Sequence, residues 1–141
     1  MKIYRITKPS SMLNNALEKL LPQLSSSAQR PTLEHLENIF ANDNIYLLVA
    51  EIDGIIAGTL SLVIVDIPTG RKAWIEDVVV DGEFRGHKIG FELVEYAKNI
   101  AKNLNVKKIY LTSNPSRQAA HHLYKKCGFE EYDTTLFRIL L

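Results

Sequence analysis

The segment Arg85-Gly86-His87-Lys88-Ile89-Gly90 sets three basic side chains and two glycines between an apolar strand, Trp74 to Val80, and an amphipathic helix. A strand that turns through glycine into a helix leaves several backbone N–H groups without intrahelical partners. The helix dipole adds partial positive charge at the same spot. Such a seat binds a multiply charged phosphate. The segment is neither a P-loop, which ends in Gly-Lys-Ser/Thr, nor a dinucleotide fingerprint of G-x-G-x-x-G type. Read alone it also fits a purely structural role, with Gly86 turning the chain and Gly90 letting the helix pack tightly on the sheet. Glu76 stands in the middle of the same strand, where a carboxylate is costly unless paired or used. Strict alternation puts Glu76, Val78 and Val80 on one face and Asp77 and Val79 on the other. His35, His121 and His122 lack metal-ligand spacing with other donors, so no metal site is expected. Cys127, next to Gly128, reads as a small buried residue.

The elements that must position these residues follow from periodicity. Lys2 to Thr7 alternates as a strand closed by Pro9. Ser10 or Ser11 can cap a helix carrying Leu13, Leu17, Leu20 and Leu21, which Pro22 ends or nearly ends. Pro31-Thr32 opens a second helix with Leu33, Leu36, Ile39 and Phe40. A meander comes next: Ile45 to Ile52, then Ile55 to Val65 across the hairpin turn Asp53-Gly54, then Lys72 to Val80. The helix from about His87 to Asn103 gathers Ile89, Leu93, Val94, Ala97, Ile100 and Ala101 on one face. Val106 to Thr112 reads as a strand reached by a crossover and therefore parallel to its neighbour. Ser116 is placed to cap a last helix with Ala120, Leu123, Tyr124 and Cys127, stopped by Gly128. Tyr132 to Leu140 reads as a final strand. The order β-α-α-β-β-β-α-β-α-β predicts an α/β (mixed α+β) fold, one mixed sheet with helices on both faces.

At 141 residues the chain is expected to form one domain, residues 1–141, with 46% apolar and 23% charged residues. A net charge of +1 offers no bulk field for nucleic acid or an anionic membrane. The single cysteine forms no internal disulfide, the N-terminus lacks a signal-peptide core, and no apolar run approaches the roughly 20 residues of a membrane helix. A cytoplasmic protein is the expectation.

Two motifs then stand out together. Arg85 and Gly90 match the first and last positions of Gln/Arg-x-x-Gly-x-Gly/Ala, with Lys88 where the central glycine usually is. Ala120 to Phe129 (AHHLYKKCGF) matches A-x-x-x-Y-x-x-x-G-F at Ala120, Tyr124, Gly128 and Phe129. With the element order, these motifs make nearly the whole chain resemble the GCN5-related N-acetyltransferase (GNAT) superfamily.

The resemblance implies a twisted, mostly antiparallel mixed sheet of about six to seven strands, splayed between the fourth and fifth. It implies acetyl-CoA as cosubstrate, with no metal. Val78, Val79 and Val80 would bond pantetheine through their main chain, as an added strand would. A backbone N–H of Val78 or Val79 would polarise the thioester carbonyl. Arg85, Gly86, His87, Lys88, Ile89, Gly90 and Phe91 would receive the pyrophosphate, and Asn114 or Arg117 would supply a further cofactor bond. Tyr124 would be the acid that protonates the leaving thiolate and Glu76 the base that takes the amine proton, directly or through water. Asp77 is the weaker alternative to Glu76.

The implied function is transfer of an acetyl group to a primary amine by direct attack in a ternary complex, since no activated cysteine is in view. The alternative is a non-catalytic acyl-CoA-binding or regulatory domain on the same fold. The string Ile75 to Val80 is similar to that of aminosugar-phosphate acetyltransferases, whereas Asn114-Pro115 departs from their pattern, and the small-molecule or peptide acceptor is left open. Glu130, Glu131 and Asp133 would favour a cationic acceptor or else form a solvated turn. The apolar segment Leu136 to Leu141 could pair with a second copy of the chain.

Overall fold

The computed structural model describes all residues from Met1 to Leu141. In chain order the elements are β1 (Lys2–Ile6), α1 (Ser11–Leu24), α2 (Leu33–Ala41), β2 (Ile45–Ile52), β3 (Ile55–Ile67), β4 (Gly70–Val80), a 3-10 turn (Gly82–Phe84), α3 (Ile89–Asn103), β5 (Ile109–Tyr110) and α4 (Gln118–Lys126).

Local chemistry sets most of these boundaries. Ser10 Oγ accepts the Leu13 N–H at 3.1 Å and starts α1, while Thr32 Oγ1 does the same for His35 N–H and starts α2. Pro22 sits inside α1, which runs on to Leu24. So late in a helix the ring removes a single ladder bond, and Leu13, Leu17 and Leu20, buried on the sheet, hold the rest. Asp53 and Gly54 both have positive φ, as a tight hairpin turn between two strands requires.

The sheet has five strands in the order β1-β2-β3-β4-β5, antiparallel through β4 and parallel between β4 and β5. Each face has its own core. Leu48, Leu60, Leu62, Ile64, Ala73 and Ile75 pack with Leu93, Val94 and Ala97 of α3 and Tyr124 of α4. Leu47, Val49, Ile56 and Val79 pack with Leu13, Leu17 and Leu20 of α1 and Leu36 of α2. The helices thus cover both faces, as the periodicity predicts.

Three expectations are corrected. Tyr132 to Leu140 forms no strand, and Val106 to Thr112 is reduced to Ile109–Tyr110, so the sheet is narrower than six or seven strands. Alternation gives a segment strand character, but a strand exists only where a neighbour accepts its hydrogen bonds, and from Tyr132 to Leu140 no neighbour within the chain does so. Ser116 does not cap α4, because its N–H and hydroxyl both donate to Asn114 Oδ1, at 2.9 and 2.8 Å. A local turn has outcompeted the cap, and Arg117 takes the N-cap position without a side-chain bond.

Gly58 fixes how closely α3 can approach the sheet. A Cβ there would lie 3.0 Å from Ile89 Cγ2, 3.1 Å from the Val79 carbonyl oxygen and 3.2 Å from Leu93 Cδ1. Gly58→Ala is expected to cost about 1–3 kcal/mol through overpacking, read as a lower urea midpoint with an unchanged slope.

Candidate active site

The site begins with an irregularity in β4. Val79 pairs with Thr59 and Glu76 with Ser61, so Asp77 and Val78 stand opposite Leu60 alone. Asp77 absorbs the extra residue with φ of +52°, a left-handed conformation that a short polar side chain tolerates better than most. The bulge shifts the alternation by one. Ile75, Val78 and Val80 face α3 and α4, whereas Trp74, Glu76 and Val79 face the other side. The expectation that Glu76 shares a face with Val78 and Val80 is therefore wrong, because it assumed an unbroken pleat.

The second irregularity is the separation of β4 from β5. The two strands are paired only at Ala73–Ile109 and Trp74–Tyr110. From Ile75 to Val80, β4 continues with β3 on one side and no strand on the other. The open main chain borders a groove of about 450 Å³, lined among others by Val78, Val80, Arg85, Lys88, Phe91 and Tyr124.

At one end of this groove lies the N-terminus of α3. Its first ladder bond runs from Glu92 N–H to the Lys88 carbonyl, at 3.0 Å, so the amides of Ile89, Gly90 and Phe91 have no partner within the helix. Lys88 occupies the N-cap with φ of +59° and gives no side-chain cap. The donors that a Ser or Asp cap would occupy are left for an anion, with Arg85, Gly86 and Lys88 lining the same groove. This donor set fits the pyrophosphate of coenzyme A. Gly90 serves a different contact from the one expected. A Cβ there would meet Leu123 Cδ2 of α4 at 3.0 Å, against 3.7 Å for Val80 of the sheet, so glycine chiefly lets α4 close on the first turn of α3.

The structure brings ten of the expected cofactor-binding residues to the groove: Val78, Val80, Arg85, Gly86, Lys88, Ile89, Gly90, Phe91, Arg117 and Tyr124. Three lie outside its lining. The Val79 side chain is buried against α1, His87 Nδ1 is 2.9 Å from the Phe84 carbonyl, and Asn114 is engaged in its own turn, its carbonyl 3.0 Å from His121 Nε2. Of the two alternatives near α4, Arg117 is the one that faces the groove. Leu123, Phe84 and Lys126 also line it and were not singled out from the sequence. The Lys126 ammonium sits 5.4 Å from the centre of the Phe91 ring. Its helical offset from Leu123 was the available signal.

Tyr124 is 8% exposed, its ring edge-on to Phe129 at 6.0 Å. Burial pushes its phenol above the usual value; Arg117 pulls the other way and Cys127 adds to the rise. Glu76 borders a second cavity of about 360 Å³ with Val63, Trp74, Thr112 and Leu136. None of the ion pairs of the chain includes it. Its carboxyl lies above the usual range through partial burial and then the neighbouring Asp77. Burial likewise raises the Cys127 thiol, the opposite of what a nucleophile needs. No three His, Cys, Asp or Glu side chains form a group able to hold a metal ion.

Sequence reasoning missed the support beneath the loop between β4 and α3. Asp81 is 2% exposed, and its carboxylate takes the Lys19 ammonium at 2.8 Å, the Glu83 N–H at 3.1 Å and the Gln23 amide at 3.4 Å. Gln23 Oε1 in turn accepts the Gly82 N–H at 2.9 Å. The last turns of α1 thus fix the turn that leads into the anion seat. Burial alone would raise the Asp81 pKa, but Lys19, the Glu83 N–H and Gln23 together bring it below the usual carboxylate range. A carboxyl with a depressed folded pKa gives stability that is complete above its unfolded value, about 3.9, and lost as pH falls through the lower folded value. Asp81→Asn is expected to cost about 1–3 kcal/mol at pH 7. Urea melts should show that difference shrinking below about pH 4.

With this geometry in view, the chain belongs to the GNAT acetyltransferase family, whose family model (Acetyltransferase (GNAT) family) matches residues 13–129. Among curated proteins it is similar to glucosamine 6-phosphate N-acetyltransferase of Arabidopsis thaliana, 36% identical over 59 residues, covering 42% of this chain and 38% of that protein. A probable glucosamine 6-phosphate N-acetyltransferase 2 of Oryza sativa subsp. japonica is 39% identical over 62 residues, 44% of this chain and 36% of that protein. The matched stretches therefore span well under half of those relatives. Among solved structures, a putative acetyltransferase from Agrobacterium tumefaciens str. C58 superposes with a TM-score of 0.87 at 25% identity, covering 100% of both chains. The crystal structure of the Arabidopsis thaliana glucosamine-6-phosphate N-acetyltransferase gives 0.81 at 28% identity, covering 98% of this chain and 97% of that one.

Proposed function

We propose that this protein transfers the acetyl group of acetyl-CoA to a primary amine by direct attack within a ternary complex. The observation that carries the reading is the opening of β4 from β5 beyond Trp74, continuous with an uncapped helix start. Main-chain groups of β4 there can bond an extended amide chain such as pantetheine, while the free amides of α3 hold the diphosphate. The bulge at Asp77 turns Val78 and Val80 toward the groove that contains Tyr124 and leaves Glu76 on the opposite face of the sheet. The incoming amine then approaches the thioester carbon from the Glu76 side, while the departing sulfur lies toward Tyr124.

The proton balance uses both residues. The amine nitrogen bonds to the acetyl carbon as the carbon–sulfur bond breaks. Glu76 takes the proton the amine gives up, directly or through water, and Tyr124 supplies one to the departing thiolate. Protonation of a thiolate whose acid lies near 8.5 by a phenol of ordinary pKa near 10 is uphill, and burial raises the Tyr124 phenol further, so position within the groove must carry the step. Amino sugars and their phosphates are the first acceptors to try, because the curated relatives are named for such a substrate.

The test is release of free thiol from acetyl-CoA across amines, amino sugars, amino acids and peptide N-termini. Tyr124→Phe is expected to lower kcat about 10- to 100-fold while coenzyme A affinity changes less than about twofold. A wild type that binds acetyl-CoA yet releases no thiol with any acceptor of this panel would favour the non-catalytic alternative. Because the Glu76 carboxyl is raised, the acidic limb of the kcat/KM profile is expected above the ordinary carboxylate value of about 4.3, and Glu76→Gln should abolish that limb.

A further inference from the structure

The face of the sheet that carries Glu76 is only partly covered by α1 and α2. Val63, Val65, Trp74 and Tyr110 belong to neither core. Ahead of the bulge at Asp77, the pleat places Lys72, Trp74 and Glu76 one after another on this face. The chain around β5 repeats the series with Lys108, Tyr110 and Thr112, because Tyr110 pairs with Trp74 and the Lys108 carbonyl accepts the Ala73 N–H at 2.9 Å. On β3, Val65, Val63 and Ser61 stand opposite Lys72, Trp74 and Glu76. Three rows result: two ammonium groups, then two aromatic rings, then a carboxylate between two hydroxyls. None of the ion pairs of the chain includes Lys72, Lys108 or Glu76. The Lys72 ammonium leans over the aromatic row instead, 5.9 Å from the centre of the Trp74 ring and 5.6 Å from that of Tyr110. Those two rings lie 5.3 Å apart and form one platform. Trp74, Glu76 and Thr112 border the cavity of about 360 Å³.

We infer that the acceptor is an amine bearing a separate anionic group: its nitrogen meets Glu76, its body lies on Trp74, and Lys72 with Lys108 holds the anion. This deepens the acetyl-transfer reading and rests on it. Charge sets the polarity of the ligand. A polyamine would press a second cation against Lys72, and an uncharged amine would leave both ammonium groups without a partner. The pleat sets the span. Same-face residues on a strand are about 7 Å apart, and the Lys72 ammonium hangs over the row next to Glu76. The amine and the anion are therefore about 7 Å apart, one such step, which excludes the α-amino and α-carboxylate groups of a single amino acid. The aromatic platform sets the body, since an indole face takes a ring laid flat on it. A sugar or benzene ring with the amine at one end and a phosphate or carboxylate at the other meets all three conditions. Lys72 and Lys108 are specificity-determining residues in this arrangement and take no part in moving protons.

Steady-state transfer to matched acceptors at saturating acetyl-CoA is the test. The pairs are glucosamine 6-phosphate against glucosamine and 4-(aminomethyl)benzoate against benzylamine. In at least one pair the anionic member is expected to exceed the neutral one in kcat/KM by about tenfold or more. K72M should bring that ratio near one through KM rather than kcat, because the lost contact binds ground and transition states alike. K72R should retain the preference and K72E should invert it. All three variants should keep coenzyme A affinity within about twofold, since the cofactor groove lies on the other face of the sheet. Neutral members that serve as well as the anionic ones in both pairs overturn the proposal and leave acetyl transfer standing. So does a K72E variant with the wild-type preference. If no acceptor of the four releases thiol, calorimetric titration with the two anionic compounds decides. Binding that K72E abolishes keeps the anion site and removes only the acetyl-transfer reading, whereas binding of neither compound overturns the proposal.

Discussion

A strand that loses one neighbour while keeping the other is the constraint on which this molecule is built. Along Ile75 to Val80, β3 satisfies one side of β4 and the other side faces the gap left by β5. Unpaired main chain inside a fold must find a partner, and what fits here is an extended chain with amide groups of its own. The groove, the start of α3 and the placement of Tyr124 all follow the line of that gap. Even a β5 paired along its full predicted length would reach only Glu76 with Thr112, so the main chain from Val78 to Val80 would stay open.

Holding the gap open requires that the loop after β4 be firm without help from β5. The Asp81 cluster supplies this from the far side of the sheet, through Lys19 and Gln23 of α1. One buried carboxylate caps the 3-10 turn and ties it to a helix that belongs to the other core. The second support is steric. Glycine at positions 58 and 90 brings α3 onto β3 and α4 onto α3, so that the first turn of α3 has a fixed height above the groove.

The bulge at Asp77 gives the site its two sides. Without the extra residue, Val78 and Val80 would point away from α3 and share the face of Glu76. With it, an apolar floor and a buried phenol lie on one face and an unpaired carboxylate on the other. Separation by the sheet keeps the two ionisable groups in different surroundings. Burial dominates the shift of both, and each is held more in its protonated form than it would be in water.

The sequence by itself determined the element order, the two helix-covered faces, the uncapped basic start of α3 and the paired motifs around Arg85 and Tyr124. These depend on neighbours within a few residues, where periodicity, caps and turns act. It did not determine the phase of β4 after Ile75, because one left-handed residue reverses every side chain that follows and no local preference announces it. Nor did it reveal that Asp81 meets Lys19 across 62 positions of chain (81 − 19), or that Gly90 faces Leu123. The fate of Tyr132 to Leu140 was out of its reach for the same reason. Alternation makes a segment fit to be a strand, but only the tertiary structure decides whether an edge is there to receive it.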